Sequence, residues 1–149
     1  MIPAVLLEVE GEIGREASRS HLAFPFELRE GVGRLELEFS FAPAFLEDGP
    51  SAKRLAAEAC LRFGLPPGAE EGRSRERIRN LLTVSLDDPA GFRGCAHRHR
   101  PSQAIFLSAT EATPGFLPGP LGAGRWRATI SVHLVASPSC AYRLRVIAT

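Results

Sequence analysis

The 149-residue sequence has no long hydrophobic run and no excess of charge of either sign. No segment reaches the roughly 18 consecutive apolar residues that a membrane-spanning helix requires, so we expect no membrane association. Lysine and arginine number 18 against 17 acidic residues, and the net charge is only +1. With one tryptophan and one tyrosine available for base stacking, these numbers argue against nucleic acid as a partner.

Lysine and cysteine are also scarce. Lys53 is the only lysine, and GC-rich coding explains the bias toward arginine at least as well as an arginine-dependent binding surface does. The three cysteines, Cys60, Cys95 and Cys140, are odd in number and no two have metal-clip spacing, so we predict three free thiols. The first residues show no signal-peptide pattern, which together with the cysteine usage predicts a cytoplasmic protein.

The sequence does contain repeated alternation of apolar and polar residues, the pattern of half-buried β-strands. The clearest case is residues 35–41, where Leu and Phe alternate with Glu and Ser. Turn-rich segments separate the strands, which predicts an all-β antiparallel β-sandwich of jelly-roll type with seven or eight strands, in a single domain over residues 1–149. The predicted strands cover residues 3–13, 22–28, 35–41, 82–86, 104–107, 126–134 and 142–146.

The phase of the alternation also predicts which side chains form the core. On each strand the apolar set should face the opposite sheet, and the polar set should face water. The residues predicted to be buried are Leu37, Phe39, Val84, Leu86, Ile130, Val132 and Leu144.

Residues 48–79 break the strand pattern and are predicted to be an insertion between two strands of the sandwich. Apolar residues at helical spacing predict a single helix near residues 51–63, and the Pro-Pro-Gly run at 66–68 prevents it from continuing. Two further segments, 88–101 and 112–124, are rich in glycine and proline and are predicted to be long loops at the ends of the sandwich. Loops in such positions commonly carry the function of a sandwich.

Two of these segments give the chain a family resemblance. The runs LDDPAGFRG (86–94) and ATPGFLPGPLGAGRW (112–126), followed by an alternating strand, a turn and CAYRLRV (140–146), resemble an accessory domain. This is the N-terminal β-sandwich that precedes the catalytic domain in some bacterial phosphoesterases of the PHP (polymerase and histidinol phosphatase) superfamily. The run LAFPFELREGVGRLELEFSF (22–41) fits the same domain, so the resemblance covers most of the chain.

The resemblance implies a non-catalytic module. In that superfamily the metal-binding domain follows the sandwich and opens with a His-x-His motif, whereas this sequence ends at Thr149, and we therefore expect a stand-alone copy of the accessory domain. The predicted helix near 51–63 departs from the family pattern, which has little between its third and fourth strands. The partner that the resemblance implies is another protein, such as a PHP-type phosphoesterase, or a second copy of this chain.

One short motif suggests a different chemistry. His97 and His99 form a His-x-His, with Asp87 and Asp88 upstream, and a small metal-dependent hydrolase would use the two histidines as metal ligands together with a nearby Asp. Adjacent aspartates on a strand face opposite sides, and Asp88 before Pro89 is better explained as the start of a turn. We keep the hydrolase as the alternative interpretation.

The preferred interpretation is a non-catalytic accessory or binding module that needs no cofactor. It would act through protein–protein association or self-association, using the two predicted loops or an exposed sheet face. His133, opposite in phase to Trp126, is predicted to be a hydrogen-bonded structural histidine. The candidate binding residues are Arg93, His97, Arg98, His99, Arg100 and Trp126.

Overall fold

Two four-stranded antiparallel sheets dominate the computed structural model, which describes residues 2–65, 77–96 and 99–149. The prediction of an all-β sandwich is confirmed. A 3₁₀ turn (Arg15–Ala17) and one helix, α1 (Gly49–Arg62), complete the described structure. In chain order the strands are β1 (Ala4–Gly14), β2 (Ser20–Leu28), β3 (Arg34–Ala42), β4 (Phe45–Leu46), β5 (Ile78–Arg79), β6 (Leu81–Asp88), β7 (Gly91–Cys95), β8 (Ser102–Ser108), β9 (Gly124–Leu134) and β10 (Ser139–Ala148).

The strand order is that of a jelly roll. One sheet has the order β1-β10-β3-β8 and the other β2-β9-β6-β7, while β4 and β5 form a separate small pair. The antiparallel pairs are nested along the chain: β1 with β10, β2 with β9, β3 with β8, and β6 with β7. The chain thus forms one long antiparallel ribbon, and wrapping this ribbon distributes its strands between two sheets. The proline of β2 lies on a sheet edge, as its missing N–H requires.

The core lies between the two sheets, and the alternation located it correctly. All seven residues predicted to be buried are at most 1% exposed. Trp126 is also fully buried, and its indole N–H donates to the carbonyl of Gly122 at 2.8 Å. The alternation fails at the end of β9, where Leu134 is 40% exposed although it continues the phase of Trp126.

The prediction of a continuous loop over 88–101 is wrong in part, because residues 91–95 form β7. Gly91 and Gly94 have φ of +140° and +135°, and the register with β6 shifts between them. A Cβ on Gly94 would lie 2.5 Å from the Cα of Phe116, so the strand needs glycine where another backbone approaches. Glycines that suggested a loop in the sequence therefore mark an irregular edge strand.

The insertion carries α1, close to the predicted bounds of 51–63. Its small core consists of Leu46, Ala52 and Ala136, against which Leu55 and Ile78 pack. Only Ala52 of the helix is buried. No helix in the described part of the chain is long and apolar enough to cross a membrane.

The insertion joins the sandwich through the buried side chain of Asn80. Its amide nitrogen donates to the carbonyl of Pro43 at 2.9 Å and to the hydroxyl of Ser137 at 2.7 Å. Its amide oxygen accepts a hydrogen bond from the N–H of Ala136 at 2.7 Å. Because every bond joins segments distant in sequence, Asn80 fixes the base of the insertion against the turn that follows β9.

The three cysteines are free thiols, as predicted. Burial raises the pKa of the Cys140 thiol, which is 0% exposed, and also raises the pKa of the Cys95 thiol. We expect Ellman's reagent to titrate three thiols in the unfolded, non-reduced protein, whereas Cys140 should stay unreactive in the folded protein at neutral pH. A Cys140→Ser variant is the control: the folded protein should lose no reactive thiol, and the unfolded protein should lose one.

Candidate binding surface

The structure divides the six predicted site residues into three groups. His97 and Arg98 lie outside the described residues. His99 and Arg100 are exposed, and the backbone carbonyl of His99 accepts a hydrogen bond from Arg79 at 2.9 Å. Arg93 and Trp126 are inside the protein, with exposures of 7% and 0%. Arg93 and Trp126 are therefore not exposed binding residues as the sequence predicted, and their roles follow from their contacts.

Arg93 holds the loop between β8 and β9, residues 109–123, in place. Its guanidinium donates to three carbonyls: that of Leu117 from Nε and Nη2 at 3.1 and 3.0 Å, that of Gly119 from Nη2 at 3.1 Å, and that of Pro120 from Nη1 at 3.0 Å. Only the planar, forked guanidinium can serve acceptors arranged in this way. The buried Arg93 thus supplies hydrogen bonds to backbone carbonyls of this glycine- and proline-rich loop, as a neighbouring strand would do in a sheet.

The same guanidinium pairs with Asp88, whose side chain is 16% exposed, at an Nη1–Oδ2 distance of 3.1 Å. The other carboxylate oxygen accepts hydrogen bonds from the N–H groups of Ala90 and Gly91 at 2.6 and 2.8 Å, which is the predicted turn-initiating role. Desolvation alone would raise the pKa of Asp88, but the hydrogen bonds from Arg93 and the two N–H groups outweigh it and lower the pKa.

The 109–123 loop also closes one side of the sandwich. The N–H of Leu117 donates to the carbonyl of Arg93 on β7 at 2.9 Å, and the N–H of Thr113 donates to the carbonyl of Phe106 on β8 at 3.0 Å. Since β7 and β8 are edge strands of different sheets, the loop covers part of both edges. The loop is therefore ordered, and it holds its exposed side chains on a defined backbone.

Two large apolar side chains are exposed where this loop meets β7. Phe92 is 59% exposed and Leu117 is 52% exposed. Phe92 pairs with Asp87 in the strand register, Asp87 pairs with Arg127, and Arg127 pairs with Pro25. These four residues form one row across the outer face of the sheet. A shallow groove of about 590 Å³ runs along this face beside Arg125 and Arg127. We call the set Pro25, Phe92, Leu117, Arg125 and Arg127 the apical surface.

The polar groups farther along the same face are hydrogen-bonded to one another. His133 Nε2 is 2.9 Å from the hydroxyl of Thr83, and His21 Nδ1 is 3.0 Å from the hydroxyl of Ser131. The hydrogen bond predicted for His133 is thus confirmed, while its side chain is exposed. Asp87 pairs with Arg127 at 3.4 Å, on the opposite face from Asp88.

Of the two predicted metal ligands, only His99 lies among the described residues. The described residues contain no group of three or more His, Cys, Asp or Glu side chains able to hold a metal ion. His97, half of the proposed His-x-His pair, falls outside them. The metal-dependent hydrolase therefore stays a prediction.

Arg77 and Arg79, at the end of the insertion, also have structural contacts. The guanidinium carbons of Arg77 and Arg79 lie 4.1 and 4.7 Å from the centroid of the Phe45 ring. Such cation–π packing joins β4, which precedes the insertion, to the end of the insertion. Both guanidinium groups are thus packed on one aromatic ring, although both side chains are exposed.

Comparison with known proteins finds no protein-family model that matches the chain, and no curated protein matches it either. The resemblance to the PHP accessory domain consequently rests on the sequence runs alone and stays a prediction. None of the five residues of the apical surface was predicted from the sequence to be a binding residue. They are Pro25, Phe92, Leu117, Arg125 and Arg127. The one local indication of this surface was the position of Phe92 on the strand. It directly precedes Arg93, and because Arg93 is buried, the alternation of a strand places Phe92 on the outer face.

Proposed function

We propose that this protein is a non-catalytic binding module that holds a protein partner at its apical surface. The observation that carries the proposal is the exposure of Phe92 and Leu117 on a backbone that a buried arginine fixes in place. The backbone segments that carry them are neighbours, since the N–H of Leu117 donates to the carbonyl of Arg93, and contiguous exposed apolar surface commonly marks protein contact sites. Binding to a surface that is already ordered avoids the entropy cost of ordering it.

The electrostatic character of the surface restricts the partner. Of its two arginines, Arg127 is paired with Asp87, whereas Arg125 is exposed and has no ion-pair partner among the described residues. An apolar residue of the partner flanked by a carboxylate would complement this arrangement. The resemblance suggests that the partner is the catalytic domain of a PHP-superfamily phosphoesterase, and we include this identity in the proposal.

A binding experiment with two purified proteins tests the proposal. The chain is titrated into the catalytic domain of a PHP-superfamily phosphoesterase from the same genome, and binding is followed by calorimetry. We expect the double variant Phe92→Ala/Leu117→Ala to bind at least about tenfold more weakly than wild type, as loss of central apolar contacts does. The matched control is Leu61→Ala, since Leu61 is 73% exposed on α1, and its binding should be unchanged.

Each other outcome contradicts a defined part of the proposal. Absence of binding by wild type rejects the phosphoesterase as the partner, and equal binding by the double variant rejects the apical surface. Metal-dependent phosphoester turnover by wild type that disappears in His97→Ala/His99→Ala would reject the non-catalytic function and support the hydrolase.

A further inference from the structure

A cleft of about 390 Å³ lies between α1 and the end of the sandwich, away from the apical surface. Its apolar lining comes from the helix on one side and from β5 and the residues after β9 on the other. Pockets of about 300–1,000 Å³ are typical of small-molecule sites. The lining includes Leu55, Ala56, Ala59, Ile78, Leu134, Val135 and Ala136.

Within the described residues, the contacts of α1 with the small cluster of the insertion lie in the first half of the helix. Ala52 is buried and Leu55 packs on the small cluster of the insertion. Ala56 and Ala59 lie one and two helical turns after Ala52 and line the cleft. Their methyl groups are too short to fill it. The helix then ends with Phe63 at the rim, 64% exposed.

Three arginines surround this apolar space. Arg15, Arg19 and Arg62 line the cleft together with a single acidic residue, Glu58. Nε of Arg15 donates to the carbonyl of Ala136 at 2.8 Å. None of the three guanidiniums has a carboxylate at ion-pair distance within residues 2–65, 77–96 and 99–149, so the cleft has an excess of positive charge next to its apolar walls.

Arg19 is held in an unusual backbone conformation at this site. Its φ is +67°, the one positive value among the described residues other than glycine, and its N–H donates to the carbonyl of Val132 at 2.7 Å. Its guanidinium carbon lies 5.7 Å from the centroid of the Phe63 ring. In this left-handed region of backbone conformation, a residue with a Cβ is strained and glycine is not. The backbone at position 19 therefore favours glycine over arginine.

We propose that the cleft is a binding site for a small free amphiphile with one anionic headgroup and an apolar body. The apolar body enters between α1 and β5, and the headgroup, a carboxylate or a phosphate, meets Arg19 and Arg62 at the rim. Charge-assisted hydrogen bonds from arginine suit both headgroups. A space of this size accommodates one small molecule rather than a folded segment. The site is independent of the protein-binding function proposed for the apical surface.

Calorimetry with four small probes tests both halves of this chemistry. Octanoate and octyl phosphate carry a tail and an anion, acetate carries the anion without the tail, and octanol carries the tail without the anion. We expect one of the first two to bind with one-to-one stoichiometry and more weakly as salt is added, because salt screens the ionic contact. Acetate should not bind, and octanol should bind at least about tenfold more weakly than the better anionic probe.

Two variants locate the site without weakening the fold. Ala59→Leu fills the cleft with a side chain that favours helix, and it should abolish binding while the melting temperature is unchanged or higher. Arg19→Gly removes the guanidinium and relieves the positive φ, and it should weaken binding roughly tenfold without lowering the melting temperature. The control is Arg54→Gln, which removes an exposed arginine of α1 that does not line the cleft, and its binding should equal that of wild type.

Several results would overturn the inference. Equal binding by Ala59→Leu would place the ligand elsewhere, and octanol binding as tight as that of the anionic probes would remove the role of the arginines. Binding of neither octanoate nor octyl phosphate would reject the site. Binding to phosphatidylglycerol vesicles alone would assign the arginines to a membrane surface instead of a free amphiphile. The apical variant Phe92→Ala/Leu117→Ala should bind the probes normally, which separates this inference from the proposed function.

Discussion

Truncation of Arg93 to alanine is expected to lower the free energy of unfolding by about 3–5 kcal/mol, the range seen when one partner of a buried ion pair is removed. The change leaves the carbonyls of Leu117, Gly119 and Pro120 and the carboxylate of Asp88 without their shared donor. Urea denaturation at neutral pH measures the loss. Arg93→Lys keeps the charge but cannot serve the forked set of acceptors, so it should lie between wild type and Arg93→Ala.

The loss should also depend on pH. The pKa of Asp88 is lowered in the folded protein, so its carboxylate contributes stability above its unfolded pKa of about 3.9, and this contribution is lost as the pH falls through the lower folded pKa. The difference in unfolding free energy between wild type and Arg93→Ala should therefore narrow in acid. A difference that stays constant from neutral pH down to about pH 2 would show that the pair with Asp88 contributes nothing.

The second large effect is expected from Phe39→Ala, which should cost about 3–5 kcal/mol of stability. Phe39 is 1% exposed at the centre of β3, and its ring lies 6.0 Å from that of Phe41. Truncation creates a cavity that the two packed sheets can close only in part. Chemical denaturation measures the change, and the slope against denaturant should stay constant.

The matched control is the same substitution at an exposed phenylalanine. Phe92→Ala should change the unfolding free energy by less than about 0.5 kcal/mol, since Phe92 is 59% exposed on β7. Similar losses for the two variants would contradict the burial that distinguishes the core from the apical surface. The control also shows whether the apical variant used for binding keeps its fold.

Much of the fold could be predicted because one physical signal repeats in it. Period-two alternation identified β1, β3, β6 and β9, since each has one face in the core and the other in water. It could not identify β7, because that strand has five residues and two of them are glycines in conformations unusual for a strand. When contact with another backbone determines the conformation of a strand, the alternation in the strand's own sequence is too weak to predict it.

The candidate sites could be predicted less well, for a related reason. Arg93 was predicted to be a binding residue, yet its guanidinium points inward and donates to carbonyls 24 to 27 residues away in the chain. The cleft depends on Arg15 and Arg19 lying near Ala59 and Arg62, residues that only the tertiary fold brings together. Composition shows that arginine is abundant, but it cannot distinguish an arginine that holds a loop from one that faces an open cleft.

The nested strand pairs reduce the entropy cost of forming this fold. The β6–β7 pair is joined by two residues, Pro89 and Ala90, so it closes the shortest loop of the sandwich. We expect this pair to form first and to bring β3 and β8 closer; their pairing would in turn bring β2 and β9, and then β1 and β10, within reach. Contacts that span almost the whole sequence can then form by successive zipping, although a random chain would seldom make them in one step.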